Sequence, residues 1–213
     1  NEEFANKFTV NPYEPVPTVK LESRPPFLEN EFTKENEPVL KPSDEDFDPS
    51  GKGFDKDATY NPAVAYENGI FYLFYRAQEE FEHPSWIGLA ASNDGINFEN
   101  RRPVIRPTEW YDVGGCEDSR IHKVGDEWWL IYTAYSDEAR LALATSTDLE
   151  NWVKKGLLFS EGWRSKSGAI LGEYRDGAVH PVKINGKYWM YYEHEGMGDL
   201  YYAISEDLYH WTS

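Results

Sequence analysis

Between Thr59 and Trp211 one pattern occurs three times. It opens with a tight-turn signal and an aromatic, β-branched run. Glu67-Asn68-Gly69 precedes Ile70-Phe71-Tyr72-Leu73-Phe74-Tyr75, Val124-Gly125-Asp126 precedes Trp128-Trp129-Leu130-Ile131-Tyr132, and Asn185-Gly186-Lys187 precedes Tyr188-Trp189-Met190-Tyr191-Tyr192. Runs this short and this rich in strand formers predict strands, and Asn-Gly supplies the positive φ angles of a two-residue hairpin. A second strand then ends in a Ser-x-Asp turn at Ser92-Asn93-Asp94, Ser146-Thr147-Asp148 and Ser205-Glu206-Asp207. Four residues after each Asp stands an aromatic: Phe98, Trp152 and Trp211. The serines are 54 and 59 residues apart. A period near 50 with three or four strands per unit is the signature of β-propeller blades, and the missing helices disfavour a solenoid.

The expected fold is therefore all-β, with three visible units at about 59–110, 115–160 and 175–213. Residues 1–58 hold eight of the 13 prolines and many acids without a sustained period. They read as an extended, solvated N-terminal arm, or as a source of closing strands.

Composition narrows the function. The chain carries 21 basic and 38 acidic side chains, a net charge of −17. That charge repels phosphate backbones and anionic lipid, so neither nucleic acid nor a membrane is an expected partner. No apolar run approaches the roughly 18 residues of a membrane-spanning helix. An aromatic content of 16% is too high for a disordered chain. The single Cys116 permits no internal disulfide, so the fold rests on its apolar core. Asn1 opens a polar stretch with no initiator methionine or signal pattern, as a removed leader or a cut chain would give.

Polar residues at the starts of innermost strands converge near a propeller axis. Those positions read as Asn61, Asp118 and His180. Around the second, Gly114-Gly115-Cys116-Glu117-Asp118-Ser119-Arg120 puts two carboxylates and an arginine beside a Gly-Gly turn. Strand alternation would point Asp118 and Arg120 one way and Glu117 the other.

Tyr60-Asn61-Pro62-Ala63-Val64, Leu73-Phe74-Tyr75-Arg76-Ala77, Ile87-Gly88-Leu89-Ala90, Gly115-Cys116-Glu117-Asp118-Ser119-Arg120-Ile121 and Ala139-Arg140-Leu141-Ala142-Leu143-Ala144-Thr145-Ser146 together resemble glycoside hydrolase family 130. These are five-bladed β-propellers acting as β-mannoside phosphorylases and hydrolases. The resemblance covers about residues 35–160 well and the remainder loosely. It implies that Asp118 is the proton donor, that Asn61 and Arg76 hold the mannosyl unit, and that Arg140 and Lys166 line a phosphate side. It also implies inversion of configuration and no metal or organic cofactor. Where the phosphorylases carry a His-Arg pair, this chain reads Tyr192-Glu193. A carboxylate repels phosphate but activates water, so hydrolysis is the leading expectation, with Glu193 as general base and Glu173 as a second candidate. Phosphorolysis is the alternative, and a non-catalytic carbohydrate-binding propeller the third.

The remaining candidates are weaker. Glu117, Arg120 and His180 are expected to contact sugar, and Tyr135, Trp110 and Tyr192 to offer aromatic platforms. Phe98, Trp152 and Trp211 repeat and are expected to pack blades. Alternation separates His194 from Glu193 and Glu195, so no metal site is expected there. His122 and Cys116 read as structural. The expected partner is an oligosaccharide. A five-bladed ring at 50–60 residues per blade needs near 300 residues, so this chain is expected to form a partial propeller with a pocket open on one side.

Overall fold

A computed structural model describes residues 35–213, apart from Glu161, Glu195 and Met197. Residues 1–34 of the expected arm and Glu195 thus lie outside the described residues. The chain divides into Asn1–Glu37 and Pro38–Ser213, and every strand among the described residues lies in the second unit.

Among the described residues the regular structure is all strand. The first sheet is an antiparallel meander of β1 (Ala58–Glu67), β2 (Ile70–Gln78), β3 (Trp86–Ser92) and β4 (Glu99–Ile105). The second repeats it with β5 (Gly115–Val124), β6 (Glu127–Tyr135), β7 (Ala139–Ser146) and β8 (Val153–Leu157). The third opens with β9 (Lys166–Ile170), followed by a separate hairpin of β10 (Gly172–Arg175) and β11 (Ala178–Pro181). β12 (Tyr188–Glu193) and β13 (Leu200–Ser205) complete it in the order β13-β12-β9, and an Ile204–Thr212 bridge marks a fourth-strand position. The turn residues behave as their types require: Asn68 and Gly69, and Asn185 and Gly186, all have positive φ.

Alternation along the strands makes two faces per sheet, and the sheets bury them against each other. Phe74, Ile87 and Leu89 of the first sheet meet Leu130, Tyr132 and Ala142 of the second in one core. Trp129, Ile131, Leu141 and Leu143 on the opposite face of the second sheet meet Met190, Tyr192 and Ala203 of the third. Each fully buried side chain of this size is worth about 1.5–3 kcal/mol, so these two seams set the relation between neighbouring sheets.

Two expectations change. Residues 38–57 form no strand, yet they are not a solvated arm. Phe54 is buried among Leu73, Tyr75, Ala77 and Ala90, with Leu40 against it, and Asp55 takes the Tyr75 hydroxyl at 2.9 Å and Arg101 at 3.0 Å. The apolar back of the first sheet draws this segment in. The third sheet also begins at Lys166 rather than near 175. The 172–181 stretch, expected to hold an innermost strand, pairs with itself, and its tip is fixed where Gly177 C=O accepts from Tyr66 N–H at 2.9 Å.

Candidate active site at three equivalent bulges

The first strand of each sheet is broken at one register. On β1, Tyr60 pairs with Arg76 and Ala63 with Phe74, so Asn61 and Pro62 together oppose Tyr75. On β5, Glu117 pairs with Thr133 and Arg120 with Ile131, so Asp118 and Ser119 oppose Tyr132. On β9, Lys166 pairs with Glu193 and Ala169 with Tyr191, so Ser167 and Gly168 oppose Tyr192. Two residues against one is a β-bulge, which bends a strand and re-aims its side chains. In all three the first bulged residue is left-handed: φ is 49° at Asn61, 48° at Asp118 and 55° at Ser167. Asn and Asp tolerate this region better than other residues with a Cβ, which favours them at such a corner.

The first two bulges meet. Asn61 Nδ2 donates to Asp118 Oδ1 at 2.7 Å. Arg76, opposite Tyr60, reaches the same corner, with one guanidinium nitrogen 2.8 Å from Glu117 Oε1 and the other 3.7 Å from Asp118 Oδ1. Its Nε donates to Ser85 Oγ at 3.0 Å, Ser85 Oγ donates on to Glu117 Oε1 at 3.4 Å, and the guanidinium lies 4.8 Å from the Tyr60 ring centre. Every described bond to the Asp118 carboxylate engages Oδ1, which leaves Oδ2 without a bond among the described residues.

Alternation therefore fails at the bulge. Glu117 and Asp118 converge on Arg76 instead of facing apart, and Arg120 turns back to donate to Ser119 C=O at 2.9 Å. Ser85 is a member that sequence reasoning missed, since nothing in Pro84-Ser85 marks it. It arrives because Gly115 lets the chains touch: a Cβ there would lie 2.9 Å from Ser85 Oγ, and Cys116 N–H donates to Ser85 C=O at 2.7 Å.

Charge orders the site. Burial raises the Glu117 carboxyl above its ordinary value, opposed by the Arg76 cation and reinforced by the neighbouring Asp118 charge. Lys166 also acts on Glu117, and its Nζ sits 3.2 Å from Glu193 Oε1. Lys166 and Glu193 are the third-sheet equivalents of Tyr60 and Arg76 in register. Lys166 thus links the expected base to the expected acid's neighbour.

The other sequence candidates fall outside this cluster's bonds. Arg140 is engaged by Asp137 and Glu138, both at 3.0 Å, and lies over the exposed Trp110 ring at 5.7 Å. Tyr135 is exposed at the end of β6. Tyr192 is wholly buried, so it is not an open sugar platform. It is the third copy of Tyr75 and Tyr132, with its hydroxyl bonded to Trp163 Nε1 at 3.1 Å and Ser213 Oγ at 2.5 Å. His180 is not on the third innermost strand. It pairs with the exposed Glu173 across the β10–β11 hairpin, with its Nε2 buried and without a hydrogen bond among the described residues.

Residues 21–213 match the family described as β-1,4-mannooligosaccharide phosphorylase, glycoside hydrolase family 130. A 1,2-β-oligomannan phosphorylase of Thermoanaerobacter sp. (strain X514) is 33% identical over 187 residues, covering 83% of this chain and 57% of that protein. The structure of a glycosyl hydrolase from Bacteroides ovatus is 35% identical with a TM-score of 0.65, over 75% of this chain and 49% of that one. Another solved structure, from work describing glycoside hydrolases that target β-1,2 mannosidic linkages in Candida mannan within the GH130 family of mannoside phosphorylases, is 32% identical with a TM-score of 0.67, over 80% of this chain and 55% of that one. The chain spans about half the length of these relatives.

Proposed function

The chain belongs to glycoside hydrolase family 130, and on that premise we propose that its bulge cluster is the acid-bearing part of an inverting β-mannoside phosphorylase. The carrying observation is the Asn61–Asp118–Arg76–Glu117 cluster, which fixes one oxygen of Asp118 and leaves the other open. In this reading phosphate attacks the anomeric carbon from the face opposite the β-linked leaving sugar. The glycosidic C–O bond breaks, and Asp118 delivers a proton to the departing oxygen, directly or through a sugar hydroxyl. The product is α-mannose 1-phosphate. Asn61 and Arg76 hold the mannosyl unit, and Lys166 is the cation nearest the attack side.

Hydrolysis, the leading expectation from the residues, becomes the second reading, because the matching family is described as a phosphorylase and the 1,2-β-oligomannan phosphorylase covers 83% of this chain. One observation still favours it: the Lys166 ammonium already has a carboxylate partner in Glu193. A cation so paired attracts phosphate less, and a carboxylate beside the sugar can deprotonate water. Incubation with β-1,2- and β-1,4-mannobiose, with and without phosphate, separates the two. Mannose 1-phosphate formed only with phosphate supports the first reading, and free mannose alone, indifferent to phosphate, sinks it.

We extend the proposal to the fold: in the whole protein these sheets form part of a five-bladed ring. The support lies in Tyr191, Leu200 and Tyr202. Their register equivalents Ile131, Leu141 and Leu143 are covered by the next sheet, whereas these three are 45%, 74% and 55% exposed.

A further inference from the structure

We infer that Ser167 is a further sugar-contacting residue of this site, donating its hydroxyl to the same glycosyl unit that Asn61, Arg76 and Asp118 address. The inference rests on the mannoside-site reading and deepens it.

The argument is one of register. Asn61, Asp118 and Ser167 are each the first residue of a two-against-one bulge, each opposite a buried tyrosine, and each in the left-handed region. The left-handed region is disfavoured for a residue with a Cβ, and strain of that kind persists where the surroundings impose it. In the first two bulges this backbone aims the side chain at its counterpart, as the 2.7 Å Asn61–Asp118 bond demonstrates. Ser167 shares that register and that backbone conformation on the third sheet. Its main chain is held from the second sheet, where Thr133 Oγ1 accepts from Ser167 N–H at 3.2 Å. Its strand β9 packs against β5, which carries Glu117 and Asp118, and against β6. The Ser167 hydroxyl, half-buried, makes no hydrogen bond among the described residues. A positioned, unengaged hydroxyl on the third side of a site built from an amide and a carboxylate suits a sugar hydroxyl.

Sequence position hides this residue, because the β10–β11 hairpin separates Ser167 from the aromatic strand it pairs beside. The test is titration of the full chain with free mannose, galactose and arabinose, none of which can be turned over. Ser167→Gly keeps the left-handed backbone without strain and removes only the hydroxyl, and Ser167→Asn restores a polar side chain suited to that φ. The expectation is about tenfold weaker mannose binding in Ser167→Gly, the size of one neutral hydrogen bond, with recovery in Ser167→Asn and no fall in melting temperature. Mannose affinity of Ser167→Gly within twofold of the parent overturns the assignment. Binding of arabinose or galactose in place of mannose sinks the mannoside reading, while the Ser167 comparison still reads on that sugar. A parent chain that binds none of the three overturns both.

Discussion

Asn61 Nδ2 donates to Asp118 Oδ1 at 2.7 Å, closing a gap of 57 residues between two sheets. The bond joins two left-handed bulge residues, so it reports on both strands at once. An amide that takes one lone pair of Oδ1 orients the carboxyl plane and leaves Oδ2 unengaged among the described residues.

The first prediction follows from that geometry. Asp118→Asn keeps the size and the bond to Asn61 but removes the transferable proton. Turnover of β-mannosides is expected to fall by roughly 10²–10⁴-fold, the usual worth of a general acid, with mannose affinity within a fewfold of the parent. Steady-state kinetics alongside calorimetric binding checks it. A variant retaining more than a tenth of the parent rate would remove Asp118 from the mechanism.

Arg76 serves Glu117, Asp118 and Ser85 together. Arg76→Lys cannot make the fork, because an ammonium has no fixed planar donors. The expected result is a loss of about 1–3 kcal/mol in denaturant stability and a large fall in kcat/KM, since Glu117 is left half-buried with its hydrogen bonds reduced. Urea unfolding of the two chains measures the first effect and initial rates the second.

Glu193 separates the two mechanisms by sign. If phosphate is the nucleophile, Glu193→Gln frees Lys166 and lowers the KM for phosphate. If water is the nucleophile, the same change removes the base and costs at least about 10²-fold in rate. Phosphate-dependence curves on parent and variant distinguish these outcomes.

Tyr192→Phe tests the correction at that residue. A buried tyrosine with bonds to Trp163 and Ser213 gives structure and not sugar contact. Stability should drop by about 1 kcal/mol per lost bond, and the KM for mannosides should not move. A raised KM at unchanged melting temperature would reinstate the platform reading.

His122 predicts a pH dependence. It is buried, its Nε2 donates to Ile170 C=O at 3.2 Å, and desolvation lowers its pKa from 6.5 to about 4. The folded state resists protonation that the unfolded chain accepts. Stability from this group is therefore complete above pH 6.5 and is lost as pH falls toward 4, by roughly 3 kcal/mol at the limit. Glu117 acts in the opposite sense: its folded value is raised, so its contribution is full below the ordinary 4.5 and is lost as pH rises from there through the higher folded value. The His122 effect is read as the difference between parent and His122→Gln in unfolding at pH 7 and pH 4.5, and an identical pH slope in both would refute it.

Much of this was legible in the residues. The aromatic runs, the Asn-Gly turns and the Ser-x-Asp turns all occur where the repeat places them, and each turn serine accepts backbone N–H groups from the residues after it, as at Ser92, Ser146 and Ser205. The site was legible at Asn61, Asp118 and Arg76, because each borders a recognisable strand. Ser85 and Ser167 were not, since serine near a loop carries no pattern. Tyr192 reads as an aromatic platform along the chain, and only the bulge paired against it shows it to be the third buried tyrosine.

What the sequence determined by itself was the strand content, the threefold period and the acidic, aromatic character, because these depend on local propensity and on alternation within a few residues. Tertiary structure decided which segment became the third innermost strand. Lys166-Ser167-Gly168-Ala169-Ile170 has weak strand propensity, and it is a strand because β12 offers it a free edge and Leu141 and Met190 pack around it. Tertiary structure also decided the direction of the carboxylates at 117 and 118. A bulge exists only relative to the partner strand it is counted against, and no rule along one chain segment contains that partner.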